Sequence, residues 1–136
     1  MAKDETRRIR SGETIYFRTC VACHGSDGRG ANVPGTDLYL APPLVGSARV
    51  QGDPEKQIPI LINGLIGPID GKTYQTGFMA PAKSFGIVRD DRLAEVISYI
   101  RYAWGQEKPP VSKELVKQLR MKYEKRTVPW TLEELK

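Results

Sequence analysis

A chain of 136 residues is long enough for one modest hydrophobic core and too short for two. With 40% hydrophobic and 27% charged residues it is neither disordered nor fibrous, and its longest apolar stretch, near residues 58–66, is far too short to cross a bilayer. The net charge of +5 is concentrated at Lys113, Lys117, Arg120, Lys122, Lys125 and Arg126, a face open to an acidic protein, to nucleic acid or to solvent alone.

Residues 1–10 are polar and charged, with no apolar run before a cleavage site, so the chain is expected to be a mature form or an excised domain with Met1 added. Ile9, Gly12, Tyr16 and Cys20 recur at a spacing of three to four, which predicts an amphipathic first helix over residues 4–20 with Asp4 as N-cap. It leads straight into Cys20-Val21-Ala22-Cys23-His24. Beyond that, Gly25, Gly28, Gly30, Pro34 and Gly35 stop the helix and open a loop of about two dozen residues, a length uncommon unless it packs around something.

Asp53-Pro54 reads as N-cap and first position of a short helix that Asn63-Gly64 ends. Pro59 lacks the amide that bonds back to Glu55, so a kink or a split is expected there. Asp70-Gly71 signals a tight turn, with a tiny hairpin around it, and residues 77–81 read as extended loop. The strongest periodicity follows Asp90, where Leu93, Val96, Ile97, Ile100 and Trp104 share a helical face and Gly105 marks the stop. After Pro109-Pro110, Ser112 can cap a last helix to about Tyr123, apolar on one side at Leu115, Val116, Leu119 and Tyr123, basic on the other. Trp130 and Leu132 are expected to pack back onto the core, the alternative being a docking role for the basic helix.

The chain has two cysteines and one histidine, all within five residues. Residues i, i+3 and i+4 of a helical turn point the same way, so Cys20, Cys23 and His24 offer two thiols and an imidazole to a common ligand. That set suits one haem, with thioethers to its vinyl groups and the imidazole on iron. Zinc lacks a fourth Cys or His ligand, a redox dithiol has no need of His24 and expects a mixed sheet, and a plain Cys20–Cys23 disulfide leaves His24 and the long loop unexplained. No second histidine can take the far face of the iron. Met1 is terminal and Met121 lies among basic residues, which leaves Met79 as candidate sixth ligand, against the commoner fate of a methionine as core filler. By chemistry alone, Arg49 and Tyr74 are possible partners for haem propionates, a surface Arg being more often simply solvated.

These residues resemble the single-haem class I cytochrome c family over residues 5–105, leaving residues 106–136 as a C-terminal extension. Gly12 and Tyr16 precede Cys20 by eight and four residues, as in that family, where the glycine lets the first and last helices cross against an aromatic residue, here Tyr99. Pro42-Pro43-Leu44-Val45-Gly46 is similar to the family's Pro-x-Leu-x-Gly segment, which implies that the Pro42 carbonyl accepts a hydrogen bond from the His24 ring. Met79 lies where the family's sixth ligand lies, although Ala80 separates it from Pro81 where many members have Met-Pro. The segment Asn63-Gly64-Leu65-Ile66-Gly67-Pro68-Ile69, with Gly71-Lys72-Thr73-Tyr74 and the tail Arg126-Thr127-Val128-Pro129-Trp130-Thr131, resembles cytochrome domains fused to bacterial dehydrogenases.

The resemblance implies an all-α cytochrome c fold, three to four core helices wrapped around one covalent haem with long loops. It implies a non-enzymatic electron carrier with His24 and Met79 on iron, serving a redox protein or a fused dehydrogenase domain, in the periplasm or another extracytoplasmic setting. No nucleic acid and no membrane span are expected. The alternative is a five-coordinate haem gas sensor or peroxidase-like protein, which requires Met79 to be off the iron.

Overall fold

The computed structural model describes residues 2–74 and 77–136, and Met1, set aside above as a ligand, lies outside them. Among the described residues there are six α-helices: α1 (Lys3–Thr19), α2 (Val21–His24), α3 (Ala48–Gln51), α4 (Pro54–Asn63), α5 (Asp90–Trp104) and α6 (Lys113–Lys122). Two short 3₁₀ turns, Ala82–Phe85 and Glu133–Leu135, and one pair of two-residue strands, β1 (Leu65–Ile66) and β2 (Phe78–Met79), complete the regular structure. The all-helical expectation is borne out.

The frame is the crossing of α1 and α5, the most extensive contact between elements. Ile9, Gly12 and Tyr16 are the buried positions of α1, as their spacing predicted. On α5, Leu93, Val96, Ile97 and Ile100 are buried in the same core. Gly12 sits at the closest approach, where a Cβ would fall 2.0 Å from the Glu95 carbonyl oxygen and 2.8 Å from Tyr99 Cβ. Only a residue without a side chain allows that separation. Tyr16, Tyr99 and Trp104 stack around the crossing with centroids 5.1–5.6 Å apart, the spacing at which edge and tilted aromatic pairs attract.

Asp4 is not the N-cap of α1. The helix begins one residue earlier, with Ala2 at the cap, and Asp4 lies in the first turn, bonded to Arg7 at 2.7 Å. A carboxylate there still faces the positive end of the helix dipole, which explains why the position looks like a cap in sequence. Asp53 does cap α4, its side chain accepting from the Glu55 amide, and Gly64 ends that helix with φ of 87°. Pro59 neither splits the helix nor ends it. Its missing amide leaves only the Glu55 carbonyl, near an exposed N-terminal turn, while the ring itself is buried in the core.

Ser112 caps α6 through the Leu115 amide, and Val116 and Leu119 are buried against α4 and α5. Asp70 and Gly71 both have positive φ, 51° and 80°, and Ile69 and Lys72 exchange hydrogen bonds of 2.8 and 3.0 Å across them. This is the predicted tight turn. Gly77 turns with φ of 64°, and Phe78–Met79 beyond it is extended as expected but paired as a strand, with Leu65 opposite Met79 and Ile66 opposite Phe78. No helix of the described residues is long and apolar enough to cross a membrane.

Candidate functional site

Cys20 closes α1 and starts α2, its carbonyl accepting from the Cys23 and His24 amides at 3.3 and 3.0 Å. The turn is locked from behind. Tyr16, fully buried, donates its hydroxyl to the Gly25 carbonyl at 2.5 Å, and the returning loop bonds Gly30 N to His24 O and Ala31 N to Cys23 O. Two thiols and one imidazole therefore stand on a single short turn whose backbone is fixed on both sides.

Cys20 and Cys23 are not joined to each other. Burial pushes the Cys20 thiol up, offset in part by the Thr19 hydroxyl 3.3 Å away. That is the wrong direction for a redox-active dithiol, whose attacking sulfur is held low. Nor do the three side chains close on a point: among the described residues no cluster of His, Cys, Asp or Glu could hold a bare metal ion. The donor set suits a wider group attached at separate atoms.

His24 is half-buried with its Nδ1 shielded from solvent, and that desolvation lowers its pKa, which favours the neutral imidazole at neutral pH. The Pro42 backbone opposes that shift, yet Nδ1 is without a hydrogen-bond partner of good geometry. With the Pro42 backbone on one side of the ring, the other ring nitrogen, Nε2, is the one left to meet a ligand. Pro42 thus lies beside the ring as the resemblance implied, in an approach looser than a formed hydrogen bond.

Met79 is half-buried on β2 and packs against the core, whereas Met121 is well exposed on α6. Beside Met79, Phe78 is exposed, as are Ile66 on β1, Phe85 in the 3₁₀ turn, and Leu38 and Tyr39 in the long loop. Of these, Ile66 and Phe78 stand opposite each other on the strand pair that bears Met79, an exposed apolar pair next to the candidate ligand. These features fit a planar apolar group held through Cys20, Cys23 and His24.

Arg49 and Tyr74 fall differently. Arg49 forms a two-pronged ion pair with Asp70, at 2.9 and 3.3 Å, so its guanidinium is committed to the Asp70-Gly71 turn. Tyr74 is half-buried against the core edge. What sequence reasoning missed is the pairing of Leu65 with Trp130. Trp130 is buried and runs parallel to β1, donating its amide to the Gly64 carbonyl at 3.0 Å and accepting from the Ile66 amide at 2.8 Å. The tail thus packs back, as its tryptophan suggested, but what it packs on is the neighbour of the Met79 strand.

A family model for cytochrome c matches residues 9–104. The chain is 35% identical over 117 residues to cytochrome c-552 of Thermus thermophilus, an alignment covering 82% of this chain and 85% of that protein. It is 29% identical over 100 residues to the cytochrome c subunit of a quinone-dependent alcohol dehydrogenase of Gluconobacter oxydans, covering 73% of this chain and 19% of that subunit. Against the cytochrome subunit of fructose dehydrogenase of Gluconobacter japonicus the figures are 28% over 114 residues, 83% and 22%.

Proposed function

The chain belongs to the cytochrome c electron-transfer family and so takes haem c, and on that premise we propose that it carries one haem, covalently bound, with His24 and Met79 as axial ligands. Bound haem c supplies a one-electron couple at iron. Cys20 and Cys23 provide the thiols for thioether attachment, and His24 provides a neutral imidazole already oriented by the locked turn. Met79 provides a thioether sulfur, which favours the reduced state and closes the far face to small ligands. The observation that carries this reading is the single short turn that bears Cys20, Cys23 and His24, locked from behind by the Tyr16–Gly25 bond and the returning loop.

The same reading assigns residues 5–105 to the haem-holding unit and 106–136 to an extension. Relatives named as cytochrome subunits of dehydrogenases support a role as electron-accepting module of a larger redox enzyme, in an extracytoplasmic setting. Arg49 serves a propionate only if the Asp70 pair opens, and Tyr74 stands at the core edge as a further candidate.

Optical spectra of the oxidised and reduced holoprotein, with carbon monoxide added to the reduced sample, test the ligation. Reduced bands unmoved by the gas, with the weak far-red sulfur-to-iron band in the oxidised form, are expected. Rapid binding of carbon monoxide would take Met79 off the iron and leave the gas-sensor or peroxidase-like reading.

A further inference from the structure

β2 consists of two residues and its partner β1 of two more, a ladder too short to hold its own register. The position of Met79 is therefore only as fixed as β1. One end of β1 is set by α4, whose C-cap Gly64 is pressed against the β2 segment: a Cβ there would lie 2.4 Å from the Met79 carbonyl oxygen and 3.2 Å from Pro81 N. The edge of β1 away from Met79 is covered by the tail, where the Trp130 backbone brackets Leu65 with two hydrogen bonds. Leu65 thus stands between Met79 on one side and Trp130 on the other.

The tail is itself clasped. The Arg126 guanidinium lies 3.6 Å from the centroid of the Trp130 ring, donates to the Val128 and Pro129 carbonyls at 2.9 and 2.8 Å, and pairs with Glu134 at 2.8 Å. Asn63, the last residue of α4, donates to the Arg126 carbonyl, and Tyr123 at the end of α6 meets the Trp130 ring edge-on at 4.9 Å. One side chain, Arg126, closes the loop from α6 to the strand that backs Met79.

We propose that the tail around Arg126 and Trp130 is a strap that positions Met79, holding its sulfur against competing ligands. The inference rests on Met79 being an axial ligand. Opening of the Met79 segment precedes binding of an outside ligand, so the apparent affinity of that ligand scales with the open fraction. Loosening the strap raises that fraction without touching the haem-bearing turn.

The test uses ferric holoprotein and imidazole as the probe. Arg126→Ala is expected to raise imidazole affinity about tenfold, and a chain ending at Lys125 more, with the far-red band lost on heating well before the far-UV helical signal. In a Met79→Ala background, where no sulfur remains to displace, Arg126→Ala should change imidazole affinity by less than about twofold. Unchanged affinity in Arg126→Ala and in the shortened chain overturns the strap. So does a tenfold effect that persists undiminished in Met79→Ala, since that marks general loosening rather than positioning. If Met79→Ala alone leaves the spectrum and imidazole affinity as they were, Met79 is not the ligand and the strap proposal falls with it.

Discussion

At the scale of single residues, the contacts divide into those that leave no room and those that are exchangeable. Gly12 belongs to the first kind. Its forbidden Cβ meets backbone of α5, which cannot swing away as a side-chain tip can, so Gly12→Ala is expected to cost about 2–3 kcal/mol or to push the helices apart. Urea unfolding of the holoprotein would measure it. Asp70 belongs to the second kind. Arg49 holds its carboxyl below the usual carboxylate range, so the pair's contribution exists above about pH 4 and disappears as pH falls through the lowered folded value. Because Asp70 is largely exposed, Asp70→Asn should cost a few tenths of a kcal/mol at neutral pH and nothing near pH 2, measured by chemical denaturation at both. Gly12 was legible because eight residues separate it from Cys20. The Arg49–Asp70 pair was not, since 21 residues separate the partners and only the folded turn aims them at each other.

At the scale of elements, each helix shows where local chemistry sufficed. Asp53 and Ser112 cap α4 and α6 by accepting hydrogen bonds from Glu55 N and Leu115 N, at 2.9 and 3.1 Å. Replacing either by Ala is expected to cost about 1 kcal/mol, visible as a lower thermal midpoint. Asp4→Ala should show no such capping loss, because Ala2 is the cap of α1 and no side chain caps it. Pro59 shows the reverse case. Its local signal says break, yet Ile58, Pro59, Ile60 and Leu61 are all buried, and burial of that apolar run outweighs one missing hydrogen bond at the start of the helix. Asp70-Gly71 signalled a tiny hairpin, but not which residues would pair as β1 and β2, because two-residue strands carry no alternation to read.

At the scale of the whole molecule, one buried cation ties distant parts together. Arg101 on α5 is nearly inaccessible, and its guanidinium donates to Val50 O, Gly52 O and Gln57 Oε1 at 3.2, 2.9 and 3.0 Å. Arg101→Met would leave those acceptors of α3 and α4 unsatisfied, a loss on the order of 3 kcal/mol, again read by denaturant unfolding. The net charge of +5 acts at longer range. Oxidation of the reduced holoprotein by ferricyanide, an anion, should slow several-fold as salt is raised from about 10 mM to about 150 mM, because the Debye length contracts. A rate independent of salt would mean that the basic surface lies away from the electron-exchanging edge.

The sequence by itself determined the Cys20–His24 turn and the crossing helices, and it singled out Met79 as the candidate ligand. Each of these depends on spacing along one helix or on the scarcity of a residue type, and both are properties of a linear chain. Tertiary structure alone decided that Arg49 is taken by Asp70, that Pro59 stays within a helix, and that Trp130 lands beside Leu65 and so behind Met79. Those outcomes turn on which of several compatible partners the folded chain brings within reach. Backbone hydrogen bonds and apolar burial carry no residue-specific label that would announce them in advance.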